Sequence, residues 1–492
     1  MVLNNSGPLS IGGSVAGQSI NLELDRNATD SSQLNESDLR LLAEKPSGSI
    51  SLLDFYGKAN YWISLLTSSS SLSILTRGCR VNSSREVFLG AWLDFPPQVD
   101  PDIGFIKLDG KGIFSLARRV SGDGFNDRCY ALALDSTSNV FVVGSSNSTG
   151  TAGGVDGYVA CFNSGGTIQW QKTLGSSYND TFLDIEVFNN SDIYVAGWSA
   201  EAAGNADILL VKYNTSGVVQ WQKRLRGTGS DYGSNVTVDS AGNPYVLAVT
   251  STSGQVAGGQ DMVIAKYNSS GVVQWQRRLG AASTEGNYFP FGMSTDAANN
   301  VYIAFDTDTS GQTAGGYDSI VAKYNSSGVL QWQKRLGGGG TGPVADDFPQ
   351  CLHVTSAGDV YVGGYAGFKS LIYKRDTNGA LLWQRTLAYK DSFDQRVTGI
   401  WVHSPTAFYA TGFAQEPATS VYKAWAARLS TAGNRTGVNG DWTYSASTLT
   451  DAATTLTDAA TTLTEVTATA TQASVSYSVS SVADLSSAKQ LL

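Results

Sequence analysis

A phrase close to Tyr-Asn-Ser-Ser-Gly-Val-Val-Gln-Trp-Gln returns three times in this chain, at 213–222, 267–276 and 324–333, and weaker copies end near Trp170 and Trp383. The five tryptophans stand 51 to 57 residues apart. That period is too long for most helical repeats and fits a blade of four short strands. A chain built this way is constrained to a ring of like sheets, because one such unit cannot bury its apolar faces alone.

The strands of one copy can be read directly. Asp184-Ile-Glu-Val leads to an Asn-rich turn at Asn189 and Asn190, followed by Ile193-Tyr-Val-Ala-Gly. After a longer loop come Asp207-Ile-Leu-Leu-Val-Lys-Tyr, the turn Asn214-Thr-Ser-Gly, and Val218-Val-Gln-Trp-Gln-Lys-Arg-Leu. Short β-branched and aromatic runs broken by Asn, Ser and Gly are strand and hairpin signals. Five clear copies, one divergent copy before them (Cys79 to Leu116) and one after (Gly399 to Leu429) predict an all-β propeller of about seven four-stranded blades. The last copy lacks a Gln-Trp-Gln strand. Tyr61-Trp-Ile-Ser-Leu-Leu-Thr resembles that strand, so the N-terminal side is expected to close the ring. Asp441-Trp-Thr-Tyr-Ser is the competing donor. The repeats resemble bacterial SBBP-type β-propeller repeats over roughly three quarters of the chain, a resemblance that implies fold and leaves function open.

Patterning divides the chain into 1–58, 59–445 and 446–492. In the last segment Thr448-Leu-Thr-Asp-Ala-Ala-Thr recurs at 455 and, altered, at 462. Leu449, Leu456, Leu463 and Val466, with intervening alanines, fall on the a and d positions of heptads. This predicts a helical coiled-coil tail that forms a dimer or trimer.

Bulk composition excludes several classes. Only 15% of the 492 residues are charged, the net charge is −9, and no nucleic-acid partner is expected. Four cysteines without metal-ligand spacing, and two histidines, point to buried free thiols, no metal and no cofactor. The N-terminal residues lack the pattern of a signal peptide, and no apolar run is long enough to insert into a membrane. Synthesis in a host cytoplasm follows as the expectation.

No catalytic signature stands out. Asp156, Asp207, Asp261 and Asp318 recur once per blade, as do Lys212, Lys266 and Lys323, which suits structural roles better than a unique dyad. The pairs Lys223–Arg224, Arg277–Arg278 and Lys334–Arg335 are expected on an exposed outer edge, where charge discourages sheet pairing. We therefore expect no enzyme. The longer, more varied loops (147–155, 199–206, 253–260 and 307–317) share one face of the ring, so a ligand is expected there. Trp92, Phe95 and Trp198 are the candidate contacts, suited to stacking on a host-surface glycan.

The first segment carries the functional clue. Ser6-Gly-Pro-Leu-Ser-Ile-Gly-Gly precedes a short helix candidate capped by Asn35, and Asp54-Phe-Tyr-Gly-Lys closes the segment. This arrangement resembles the small N-terminal docking module of many tailed-bacteriophage virion proteins, matched at Pro8, Leu9, Ile11, Gly12, Asp54, Phe55, Tyr56, Gly57 and Lys58, with Leu9 where Ile is commoner. The resemblance implies docking to other phage structural proteins and a place in the virion, as a tail, baseplate or neck appendage with a role in host attachment. The alternatives are a bacterial surface or secreted adhesin and a polysaccharide-degrading propeller enzyme.

Overall fold

The structure is a computed structural model. It describes residues 62–433 except 69–71, 95–100, 122–126, 149–150, 152–153, 203–204, 254–258, 281–283, 287–291, 309–315, 339–345 and 391. Beyond 433 it describes the backbone of short strands. The docking residues Pro8 to Gly12 and Asp54 to Lys58, the Asn35 helix candidate and Phe95 lie outside the described residues.

The described chain is a seven-bladed propeller of four-stranded antiparallel sheets. Blade I is Ser73–Val81, Val87–Asp94, Pro101–Leu108 and Phe114–Ser121. Blade III, the copy read above, is Asp180–Phe188, Asp192–Ala202, Asn205–Asn214 and Val219–Arg226. Inner strands touch in succession, and that of blade VII (Gln395–Val402) meets that of blade I. Trp62–Ser68 is the fourth strand of blade VII, with Trp62 opposite Arg428 and Leu65 opposite Trp425. The N-terminal strand thus closes the ring as the apolar pattern predicts. The competing donor, Trp442–Ala446, pairs with blade VI instead.

The core lies between blades. Tyr245, Leu247 and Ile264 of blade IV pack with Val301, Ile303 and Ile320 of blade V, and similar clusters fill other interfaces. Third strands are buried on both faces, which is why they read as continuous apolar runs.

The repeated phrase is an inter-blade latch. Asn214 Oδ1 accepts the N–H groups of Ser216 and Val218, both at 3.0 Å, and so shapes the turn between third and fourth strands. Gly217 takes φ +74° there, and a Cβ on it would fall 2.8 Å from the Trp170 ring of the preceding blade. Trp170 Nε1 donates to Thr215 O at 2.8 Å, and Trp221, Trp275, Trp332 and Trp383 repeat the bond to the next blade at 3.0 to 3.2 Å. Blade I has Arg118 instead, its Nε donating to Gly166 O at 2.8 Å.

The recurring charges are internal. Arg278 bonds Asp261 at 3.1 Å and Arg335 bonds Asp318 at 3.0 Å within the same blade; Arg224 lies 3.7 Å from Asp207, and both are buried. The expected outward-facing basic edge is therefore corrected: the second residue of each basic pair turns into its blade. Lys212 and Lys266 reach the turn aspartates Asp192 and Asp239 at 2.8 and 3.0 Å.

The tail also departs from expectation. Thr450–Ala453, Thr457–Ala460, Thr464–Thr467, Thr471–Ser474, Ser478–Ser481 and Leu485–Leu491 are strands, not a helix. Each pairs antiparallel with the outer strand of a blade, taking blades V, IV, III, II, I and VII in turn, after Trp442–Ala446 on blade VI. The strands begin seven residues apart, a step of up to about 25 Å when extended. The heptad is thus one stride from blade to blade. Thr favours this extended backbone, and the outer strands offer open edges. Val466 lies opposite Arg224 on blade III, while Leu449, Leu456 and Leu463 fall outside the described residues. The coiled-coil argument for a dimer or trimer loses its helix.

All four cysteines are free, as composition suggested, and burial pushes the thiols of Cys79 and Cys129 up to about 12.

Candidate ligand site at the channel

The inner strands line the axis of the ring, and six of the seven share one irregularity. Their register slips at 77/79, 129/131, 182/184, 233/235, 349/351 and 397/399. A bulge of this kind re-aims a side chain. The extra residues include Tyr130, Leu183, Gln350 and Thr398, and these line a cavity of about 90 Å³ on the axis. The bulge brings the inner strand's backbone close to the second strand. A Cβ at Gly197 would fall 1.9 Å from Thr181 O, which explains the glycine ending the Ile-Tyr-Val-Ala-Gly run.

Inner strands all leave the same face, so residues near their starts meet residues near the ends of second strands. That face is the one with the longer loops. Arg77 projects there from blade I, its guanidinium 4.3 Å from the centroid of the Trp92 ring, and the exposed Arg128 of blade II lies 5.2 Å from the same ring. Trp92 is held edge-on to Tyr130 at 5.7 Å, and its Nε1 donates to Cys129 O. On the adjoining blade VII, Arg396 lies over Tyr365 at 4.6 Å and bonds Asp394 at 2.8 Å.

Arg77, like Arg128 and unlike Arg396, has no carboxylate partner among the described residues, and its buried Nε makes no hydrogen bond. Burial, reinforced by Arg396, pushes its pKa down to about 10, which leaves it charged at neutral pH. Gln350, fully buried in the same cavity, has an Oε1 without a donor. One unmet donor and one unmet acceptor therefore line a single hole.

Deeper along the axis one arginine serves two carboxylates, Glu186 and Asp184. Arg80 reaches Glu186 at 3.4 Å and lies 5.3 Å from the Trp401 ring, against which His353 packs at 4.7 Å. Asp184 accepts from Val236 N at 3.0 Å.

Of the sequence candidates, Trp92 belongs to the arginine cluster. Trp198 lies on the same face in blade III but packs edge-on to Tyr232 at 5.6 Å, so the two tryptophans belong to different contacts. Arg77, Arg128, Arg396 and Gln350 were missed. Their signal is divergence within the repeat: where blade I has Arg77, the other slipped strands have Cys129, Phe182, Gly233, Pro349 and Val397. No group of His, Cys, Asp and Glu among the described residues is arranged to hold a metal. Asp347 is an unusual carboxyl: burial pushes it up to about 7 while it accepts from Gly338 N at 2.7 Å.

No family model matches the chain. It is similar to the regulatory protein FlaEY of Caulobacter vibrioides, 29% identical over 170 residues, which is 29% of this chain and 16% of that protein. The chain therefore matches well under two thirds of the length of this relative. It is also similar to a catalytically inactive virginiamycin B lyase from Staphylococcus aureus crystallised with quinupristin (15% identity, TM-score 0.43, 74% of this chain and 99% of that one). A protein of unknown function from Dyadobacter fermentans is a further structural neighbour (9% identity, TM-score 0.45, 75% of this chain and 98% of that one). No residue role is carried over from any of the three.

Proposed function

We propose that the chain is a non-enzymatic component of a tailed-phage particle that displays the propeller as a host-surface binding head. The observation that carries the binding role is the long-loop face, where Arg77 and Gln350 keep unmet polar atoms beside the aromatic pair Trp92 and Tyr130. Unmet buried groups cost about 1–3 kcal/mol each, and a ligand that completes them recovers that cost. Docking is assigned to residues 1–58, on the resemblance of Pro8, Leu9, Ile11, Gly12 and Asp54 to Lys58 to virion modules. The ring itself supplies a rigid platform, because every blade is latched to the next and the N-terminal strand closes the circle.

Immunogold electron microscopy with antibody to the propeller tests the placement. Gold on a tail, baseplate or neck appendage of purified particles is the expected result. Particles that carry no gold while infected cells display the protein on their surface would favour a cell-surface adhesin and overturn the virion reading.

A further inference from the structure

We infer that the channel mouth is a carboxylate site whose ligand is an acidic sugar of a surface polysaccharide. This inference rests on the host-binding reading above and names its ligand class. Three features of the cavity narrow the chemistry. Arg77 offers a planar fork of donors, the geometry that grips a carboxylate with two parallel bonds. Arg396 is already balanced by Asp394 at 2.8 Å, whereas Arg77 in the cavity and Arg128 beside it have no carboxylate partner among the described residues, so this end of the channel calls for negative charge. Gln350 Oε1, buried and unmet in the same cavity, needs a donor such as a hydroxyl. A carboxylate beside hydroxyl groups on a ring satisfies both, and the Trp92 and Tyr130 rings offer a stacking surface at the mouth. The cavity of about 90 Å³ has room for the acidic end of such a residue, with the rest of the polymer outside on the face.

The protein as a whole argues against loose polyanion binding. Its net charge is −9, so general attraction is absent and recognition must come from this local cluster. A phosphate dianion fits less well, because its second charge would lie against the Gln350 oxygen in a cavity that the Asp184 carboxylate also lines.

Calorimetric titration of the full-length protein tests the inference with four probes: tri-galacturonic acid, its methyl ester, N-acetylneuraminic acid and inorganic phosphate. At least one acid sugar is expected to bind, with the ester or phosphate at least tenfold weaker. Arg77→Met should weaken the acid sugar at least tenfold while the thermal midpoint holds or rises, because an unbalanced buried charge is removed. Arg77→Lys should recover part of the loss. Failure of both acid sugars to bind, equal binding of ester or phosphate, or an unchanged affinity in Arg77→Met would each overturn the assignment. If the protein binds host cells yet ignores acid sugars, this inference fails and the attachment reading stands. The reverse result leaves the site intact and removes the attachment role.

Discussion

The indole of Trp170 rests on Gly217 of the following blade, so closely that a Cβ on that glycine would fall 2.8 Å from the ring. Its Nε1 donates to the carbonyl of Thr215 in the same turn at 2.8 Å. This relationship ties the most visible letters of the sequence together. The tryptophan of one copy is repeated because it needs the glycine of the next, and the asparagine opening the turn holds that glycine at φ +74°.

Breaking the latch from either side should destabilise the ring. Gly217→Ala meets both a left-handed backbone and the indole, and is expected to cost about 2–3 kcal/mol. Trp170→Ala removes the ring and leaves a carbonyl unbonded, at about 2–4 kcal/mol. Combining them should cost less than the sum, since both remove one contact. Urea unfolding of the three variants checks this, and additive losses would count against the latch.

Ring closure depends on Trp62, which is fully buried between blades VII and I. Trp62→Ala is expected to cost about 3–5 kcal/mol and to expose the outer edges near Gly112. Hydrogen exchange should then quicken first in Trp62–Ser68 and Tyr422–Ser430. Uniform quickening across all blades would show that closure is not the weak joint.

The tail makes a periodic claim. Deleting the seven residues 455–461 removes one stride, so the strands beyond it keep their spacing and their pairing with blades. Deleting three residues, 455–457, breaks the stride and should free every strand after it. Amide protection at Thr464 to Thr467 and Thr471 to Ser474 reads the difference. Equal protection after both deletions contradicts a blade-by-blade stride.

Two buried groups give opposite acid responses. Burial and Arg80 push His353 down to about 3, so between its ordinary 6.5 and 3 the unfolded chain binds the extra proton and stability falls as pH drops. Asp347, pushed up from 3.8 to about 7, holds its proton in the folded state first, so lowering pH through that window adds stability. His353→Phe should therefore lose less stability than the parent between pH 7 and pH 5, and Asp347→Asn should lose more. Denaturant midpoints at the two pH values check both signs.

The buried ion pairs predict a further asymmetry. Asp261→Asn leaves Arg278 without its 3.1 Å partner and is expected to cost about 3 kcal/mol or more. Replacing Asp261 and Arg278 together by apolar residues should cost much less. A double variant as unstable as the single one would argue that the pair contributes through its charge.

The blades, their number and the closing strand were legible because Trp, Gly and Asn act locally and recur. The tail was misread because a seven-residue period serves both a helical seam and a strand that strides around a ring. Thr at so many positions favoured the strand, but the edges it covers belong to residues more than a hundred positions away, as Val466 opposite Arg224 illustrates. The basic pairs were misread for a similar reason: alternation along Val219–Arg226 sends Arg224 inward to Asp207, which sequence spacing alone does not reveal. Trp92 was legible as an aromatic at the long-loop face. Arg77 was not, since only the bulges of the other blades show which position faces the axis.

Competition for adsorption tests the central claim most directly. Host cells preincubated with the purified full-length protein should adsorb phage more slowly, by severalfold at saturation, while protein carrying Trp92→Ala should leave adsorption nearly unchanged. If the unaltered protein binds no host cells and leaves the adsorption rate as it was, the propeller is not a host-binding head.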